Sequence, residues 1–201
     1  MSTREMLRGE RAELVALLRG LSDAEWLAPS LCAGWRVRDV VGHLLYDSVS
    51  LLDYAGVSVR SRLSFDGTNN ALVDRFRSLS TAELVDRLEN SGEHITRFMP
   101  GVGLADMLVH QQDIRRPLGK PREIPAERLR FVLSHPDPFA QPKRYVRGLR
   151  LVATDVEWSQ GSGPEVRGPG EALALAMVGR AIALADLEGE GLETLRGRMP
   201  G

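Results

Sequence analysis

Cys32-Ala-Gly-Trp-Arg-Val-Arg-Asp-Val-Val-Gly-His43 leads into the longest apolar helical pattern in the chain, and its reading decides the fold. Val37, Val40, Val41, Leu44, Leu45, Val49, Leu51 and Leu52 follow at helical spacing, which predicts one helix from Val37 to about Val59. His43 lies inside this apolar run, and Asp47 follows at i+4, on the same face of an uninterrupted helix. A second segment is built the same way: Asp106-Met-Leu-Val-His110-Gln-Gln-Asp113-Ile-Arg-Arg-Pro117. There His110 has Asp106 at i−4 and Asp113 at i+3. Two helices of a bundle that each bring a histidine and a carboxylate inward could hold one metal ion between them.

Working outward, the remaining pattern is helical up to about residue 118. Residues 4–19 place Met6, Leu7, Leu14, Leu17 and Leu18 near helical spacing. Ser22-Asp23 could cap a short turn carrying Trp26, and Pro29 to Trp35 reads as a loop. Ser64 to Asn70 is turn chemistry, followed by a short helix over 72–79. Ser80-Thr-Ala-Glu83 is a capping box that starts a helix running to about Met99. Pro100-Gly-Val-Gly103 breaks it, and a helix over 104–116 ends near Pro117.

The texture changes in the last third. Pro125 starts a helix to about Ser134. Tyr145–Ala153, Val156–Ser159 and Val166–Gly168 have strand character, and Gly170 to about Leu187 reads as an apolar helix. The expected architecture is mainly α: a metal-binding four-helix bundle over residues 1–120, with a small α+β region over 121–201 packed on it.

Composition narrows the function. The chain has 201 residues and a formal net charge of −1. A nucleic-acid binder needs an excess of basic charge to neutralise phosphates, so nucleic acid is not an expected partner. No apolar run suits a bilayer span, and the first residues lack a signal-peptide core, so a cytoplasmic protein is expected. Cys32 is the only cysteine, which excludes an internal disulfide and a paired-cysteine zinc site.

The chemistry rests on the two histidine segments. Zn²⁺ and Ni²⁺ accept imidazole nitrogen and carboxylate oxygen together, and a catalytic centre needs about three protein ligands plus an open position. His43, Asp106 and His110 would supply that set. Asp47 or Asp113 could serve as a fourth ligand, a base, or an acceptor that orients a histidine. The bland alternative is a packed histidine whose neighbouring aspartate only accepts its hydrogen bond. Arg115 and Arg116 could bind an anion, or simply complement the helix C-terminus. His94 reads as a solvated helix residue and His135 as a loop residue. Cys32 has no basic neighbour before Arg36 and reads as a small buried side chain.

Both segments resemble a known family. Cys32 to Leu44 is similar to the pattern C-x-G-W-x-V-x-D-V-V-x-H-L, and Asp106 to Gly119 to E-x-x-V-H-x-x-D-I-R-R-P-L-G. These patterns belong to the mycothiol-dependent, maleylpyruvate isomerase-like branch of the DinB/YfiT-type metal-binding bundles. The stretches Asp155 to Trp158, Gly163 to Gly168 and Gly179-Arg180 resemble the family's C-terminal, sterol-carrier-like unit. The resemblance implies a DinB-like bundle whose divalent metal, zinc or nickel, is held by His43, Asp106 and His110. Asp106 departs from the family's glutamate by one methylene. The implied cofactor is mycothiol or a similar small thiol, and the implied partner an electrophilic small molecule, with a homodimer left open. The implied reaction is thiol-dependent transfer or isomerisation. The rival expectation is a non-catalytic ligand-binding or interaction domain with a vestigial metal site.

Overall fold

The computed structural model describes residues 1–200, apart from the side chains of Phe65 and Asp66. Gly201, the last residue of the expected C-terminal region, lies outside them. The chain divides into two compact units, Met1–Pro121 and Arg122–Gly201.

The first unit is helical. It comprises α1 (Thr3–Arg19), α2 (Asp23–Leu27), α3 (Val37–Leu44), α4 (Leu51–Arg60), α5 (Phe65–Phe76), α6 (Thr81–Glu89) and α7 (Pro100–Arg115). Capping boxes start three of these helices. Ser2, Ser22 and Ser80 each accept from the backbone N–H three residues on, and Glu5, Glu25 and Glu83 reach back to the cap N–H. Each such cap contributes about 1 kcal/mol. Helix α3 starts differently: the Asp39 carboxylate accepts from Arg36 N–H at 2.9 Å.

The bundle core lies where α1 packs on α6 and α7, and α3 packs on α5, α6 and α7. Leu7, Leu14, Leu18, Leu44, Leu84, Leu88, Leu104, Leu108 and Ile114 are almost wholly buried there. Burial of each such side chain stabilises the fold by roughly 1.5–3 kcal/mol. Helix α7 is buried on nearly every side, so its polar residues Gln111, Gln112 and Asp113 are interior as well.

Three boundaries differ from the sequence expectation. The helix predicted over 37–59 is interrupted: a 3₁₀ turn, Leu45–Ser48, follows α3, and Ser50 then caps α4 by accepting from Asp53 N–H. Apolar spacing continues across the break, so periodicity alone did not reveal it. The turn expected over 64–70 is the start of α5, because Ser64 acts as its N-cap. Helix α6 stops at Glu89 rather than Met99. Residues 90–99 form a non-helical segment, and Pro100 begins α7 instead of breaking a helix. Proline suits that first helical position, where its missing N–H has no partner to lose. Gly103 allows this segment to approach α7, since a Cβ there would lie 2.5 Å from Thr96 Cγ2.

The second unit holds α8 (Ala126–Ser134), α9 (Pro142–Val146), α10 (Gly170–Met177) and α11 (Leu192–Arg196). Strands β1 (Arg150–Ala153), β2 (Ser159–Gly161) and β3 (Glu165–Gly168) form a sheet of order β2-β1-β3. β1 pairs antiparallel with β2 and parallel with β3, with Leu151 opposite Gln160 and Val166. Tyr145 belongs to α9, not to a strand, and the helix predicted over 170–187 divides into α10 and a 3₁₀ segment, Ala181–Asp186. The fold is thus mainly α with a small C-terminal sheet, as expected. No helix among the described residues is long and apolar enough to cross a membrane.

Candidate metal centre

Helix α3 delivers His43 from its last turn, and α7 delivers Asp106 and His110 one turn apart. Because α3 packs on α7, the three side chains meet. His43 Nε2 lies 3.6 Å from Asp106 Oδ1, and His110 Nε2 lies 3.3 Å from the same oxygen. One donor atom from each residue falls within 4.8 Å of the others. Their side chains are 9%, 14% and 12% exposed, so the cluster is largely shielded from solvent.

These distances can be compared with coordination geometry. Ligand bonds of about 2.0–2.2 Å in a tetrahedral site place neighbouring donors about 3.4 Å apart. The two separations on Asp106 Oδ1 bracket that value. One further atom agrees with a cation-seeking site: Asp106 Oδ2 is buried without a hydrogen-bond partner. The donor set, two imidazoles and a carboxylate, suits a borderline divalent ion. The aspartate's shorter side chain still reaches both histidines, so the missing methylene does not withdraw Asp106 from the cluster.

The electrostatics follow from this convergence. Burial would raise the Asp106 carboxyl pKa. The charge of His110 and hydrogen bonds with both histidines outweigh it and hold the group below the usual carboxylate range. Burial would likewise lower the His110 pKa, but the Asp106 charge dominates the opposing influences and raises it well above that of a free imidazole. Tyr54, on α4, is pushed upward by burial and then by the Asp106 charge, which places its phenol in the electrostatic reach of the cluster.

Behind His110 lies a second layer. Asp113 is fully buried, and its Oδ2 is 2.8 Å from His110 Nδ1. When the ring is neutral or a cation replaces the Nε2 proton, this contact favours the proton on Nδ1 and leaves the Nε2 lone pair to the cation. Cys32 joins the same carboxylate: its Sγ donates to Asp113 Oδ2 at 3.2 Å and stands 3.6 Å from His110 Nδ1. Aromatic rings flank His43. Trp35 and Tyr46 have ring centroids 5.4 and 5.7 Å away, and the His110 ring meets His43 edge-on at 4.8 Å. Trp35 is itself held by Nε1 donating to Asn70 Oδ1 at 3.1 Å.

Asp47 corrects the sequence reading. It does not orient His43. Its Oδ1 accepts from the Ile95 and Thr96 backbone N–H groups at 2.8 and 2.9 Å, and its Oδ2 accepts from Thr96 and Ser91 hydroxyls and Arg11. The cause is the 3₁₀ turn after Leu44, which rotates each residue further than an α-helix does and carries Asp47 off the His43 face. Asp47 instead pins the 91–96 segment. Arg115 is also engaged structurally: its Nε donates to Gln111 Oε1 and its Nη1 to the Lys120 carbonyl. Arg116 follows at the end of the same helix, half-buried. His94 is half-buried in the non-helical segment, with its N–H donating to the Asp47 carbonyl. His135 is exposed and bonded through Nδ1 to the Phe131 carbonyl. Cys32, Trp35 and Tyr46 lie beside the cluster and were not selected by sequence reasoning. Their proximity is tertiary, and only the C-x-G-W pattern offered a signal for Cys32.

A helical bundle whose inward histidines and carboxylate come from two packed helices defines the DinB-like class of fold. Residues 7–102 match the family model of the mycothiol maleylpyruvate isomerase N-terminal domain. The match ends before Asp106 and therefore covers only the His43 half of the cluster. Among solved structures, the chain is similar to a histidine-to-alanine mutant of the mycothiol-dependent maleylpyruvate isomerase, with a TM-score of 0.62 and 14% identity, covering 94% of this chain and 91% of that one. It is also similar to a second crystal structure of the mycothiol-dependent maleylpyruvate isomerase, with a TM-score of 0.57 and 13% identity over the same shares of both chains. No curated protein matches the sequence.

Proposed function

We propose that this chain binds a divalent metal ion, zinc or nickel, through His43, Asp106 and His110. We infer that it acts in the cytoplasm as a mycothiol-type, thiol-dependent transferase or isomerase on a small electrophile. In this reading residues 1–120 form the metal-binding bundle and residues 121–201 its appended α+β region. The observation that carries the proposal is the convergence of two imidazole Nε2 atoms on one carboxylate oxygen, at 3.3 and 3.6 Å, inside the bundle. The family match over residues 7–102 and the fold of the similar isomerases support it.

A divalent ion in this cluster would lower the pKa of a coordinating small thiol and supply a thiolate near neutral pH. The chain's own residues account for the rest. Asp113 holds the His110 proton on Nδ1 and so keeps Nε2 available. Trp35 and Tyr46 limit the rotation of His43 and exclude water from its ring edge. Arg115 donates to Gln111 and to the Lys120 carbonyl, and Arg115 and Arg116, at the end of α7, are the candidates to meet an anionic group.

The test is to incubate zinc- or nickel-loaded protein with mycothiol and electrophiles, maleylpyruvate among them, and to follow thiol adducts and isomerised product. Metal-dependent turnover that is lost in His110→Ala supports the proposal. Metal uptake with no thiol binding and no turnover would favour the alternative, a non-catalytic ligand-binding bundle.

A further inference from the structure

The loop before α3 is tied to α7 at the point where Asp113 meets His110. Leu31 N–H donates to the Asp113 carbonyl at 3.1 Å. Ser30 Oγ accepts from Cys32 N–H at 3.1 Å and donates to the Trp35 carbonyl at 2.9 Å. Trp35 N–H returns to the Cys32 carbonyl at 2.9 Å, closing a tight turn in which Gly34 adopts a φ of +77°. This loop leaves Cys32 little freedom, and its thiol is aimed at Asp113 Oδ2.

That oxygen is therefore shared. It accepts the His110 Nδ1 proton at 2.8 Å and the Cys32 S–H at 3.2 Å, while the Asp113 side chain has no exposed surface. A buried carboxylate is costly unless several donors satisfy it, and its orientation follows the donors it has. With Cys32 in place, Oδ2 is held between two donors from different elements, the loop and α7. Without the thiol, one of those restraints is lost, and the hold of Asp113 on His110 weakens.

We propose that Cys32 is a positioning residue for His110, acting through Asp113: its thiol fixes the carboxylate that fixes the imidazole, without itself ligating the metal. This assignment rests on the metal reading of His43, Asp106 and His110. It gives the cysteine of the C-x-G-W turn a task that its sequence context does not suggest.

The experiment uses the full chain with Co²⁺ as the probe, comparing wild type, Cys32→Ala and Cys32→Ser. Affinity comes from titration of the cobalt absorption, and metal-free melting confirms that each variant folds. Nitrogen-correlated NMR of the metal-free imidazoles, recorded at a pH high enough for His110 to be neutral, reports its tautomer independently of metal. Losing the partner of a metal-ligating histidine weakens binding by about tenfold or more, and Cys32→Ala is expected at the low end of that range. Cys32→Ser, which keeps a donor, should restore most of the affinity and the Nδ1–H tautomer signal. Wild-type Co²⁺ spectra should lack a thiolate-to-cobalt charge-transfer band. Equal affinity in wild type and Cys32→Ala would overturn the assignment, as would equal weakening in Ala and Ser, which indicates packing alone. A thiolate band in wild type would overturn it too, by making Cys32 a ligand. Wild-type protein that binds no Co²⁺ would instead overturn the metal reading and this assignment with it.

Discussion

Asp106→Asn probes the carboxylate on which the two histidines converge. The substitution keeps the size and shape of the side chain and removes its charge, leaving a neutral amide between the two histidines. In wild type, Oδ1 is within 3.6 Å of both Nε2 atoms, so a bound ion would lose its only anionic ligand. Outer partners of metal ligands are worth 10–100-fold in affinity, and a direct anionic ligand should be worth about 100-fold or more. At a free metal concentration 100 times the wild-type Kd, binding stabilises the fold by about 2.7 kcal/mol; a 100-fold weaker site retains only about 0.4 kcal/mol. For a protein of this size, 1 kcal/mol moves Tm by about 2–4 °C, so the metal-induced shift should fall from about 5–11 °C to about 1–2 °C. Thermal melts with and without Zn²⁺ or Ni²⁺ measure this directly, each variant being compared with its own metal-free form. If Asp106→Asn shows the wild-type shift, Asp106 is not a ligand and the three-residue site is wrong.

Three further outcomes are expected. Metal affinity should rise with pH: Asp106 raises the metal-free His110 pKa well above that of free imidazole, so the ion must displace a proton, and calorimetry in buffers of different ionisation enthalpy should detect its release near pH 7. The Glu25 pKa is lowered to about 2, chiefly by the Lys120 hydrogen bond and then by the Ser22 cap. Its contribution is therefore complete above the unfolded carboxylate pKa and lost as pH falls through about 2, so Glu25→Gln should destabilise at pH 7 but match wild type near pH 2 in denaturant melts. Asp47→Ala removes the acceptor of the Ile95 and Thr96 N–H groups and the buried partner of Arg11. It should cost about 3–5 kcal/mol in denaturant unfolding and leave metal affinity per folded molecule unchanged; a large loss of affinity would restore Asp47 to the metal cluster.

The sequence made the helical bundle and its histidines legible because both depend on local pattern. Capping boxes at Ser80 and the apolar spacing of 4–19 translate directly into α6 and α1. Asp106, His110 and Asp113 share one uninterrupted helix, so their i, i+4 and i+3 relations survive in the fold. Asp47 did not, because its relation to His43 assumed an α-helix across a 3₁₀ turn whose side chains give no periodic signal. Helix α5 was hidden by residues that favour turns, with Ser64 acting as a cap rather than as part of a loop. Cys32 was invisible for another reason: it reaches the cluster from a separate loop, and no spacing along the chain encodes that approach.

The central claim is that His43, Asp106 and His110 together hold a divalent ion. X-ray absorption at the metal edge, on protein loaded with stoichiometric Zn²⁺ or Ni²⁺, tests it most directly. The account predicts a first coordination shell of two imidazoles with oxygen completing it and no protein sulfur, and loss of the imidazole signature in His43→Ala/His110→Ala. Absence of stoichiometric binding, or a shell containing the Cys32 sulfur, would contradict it.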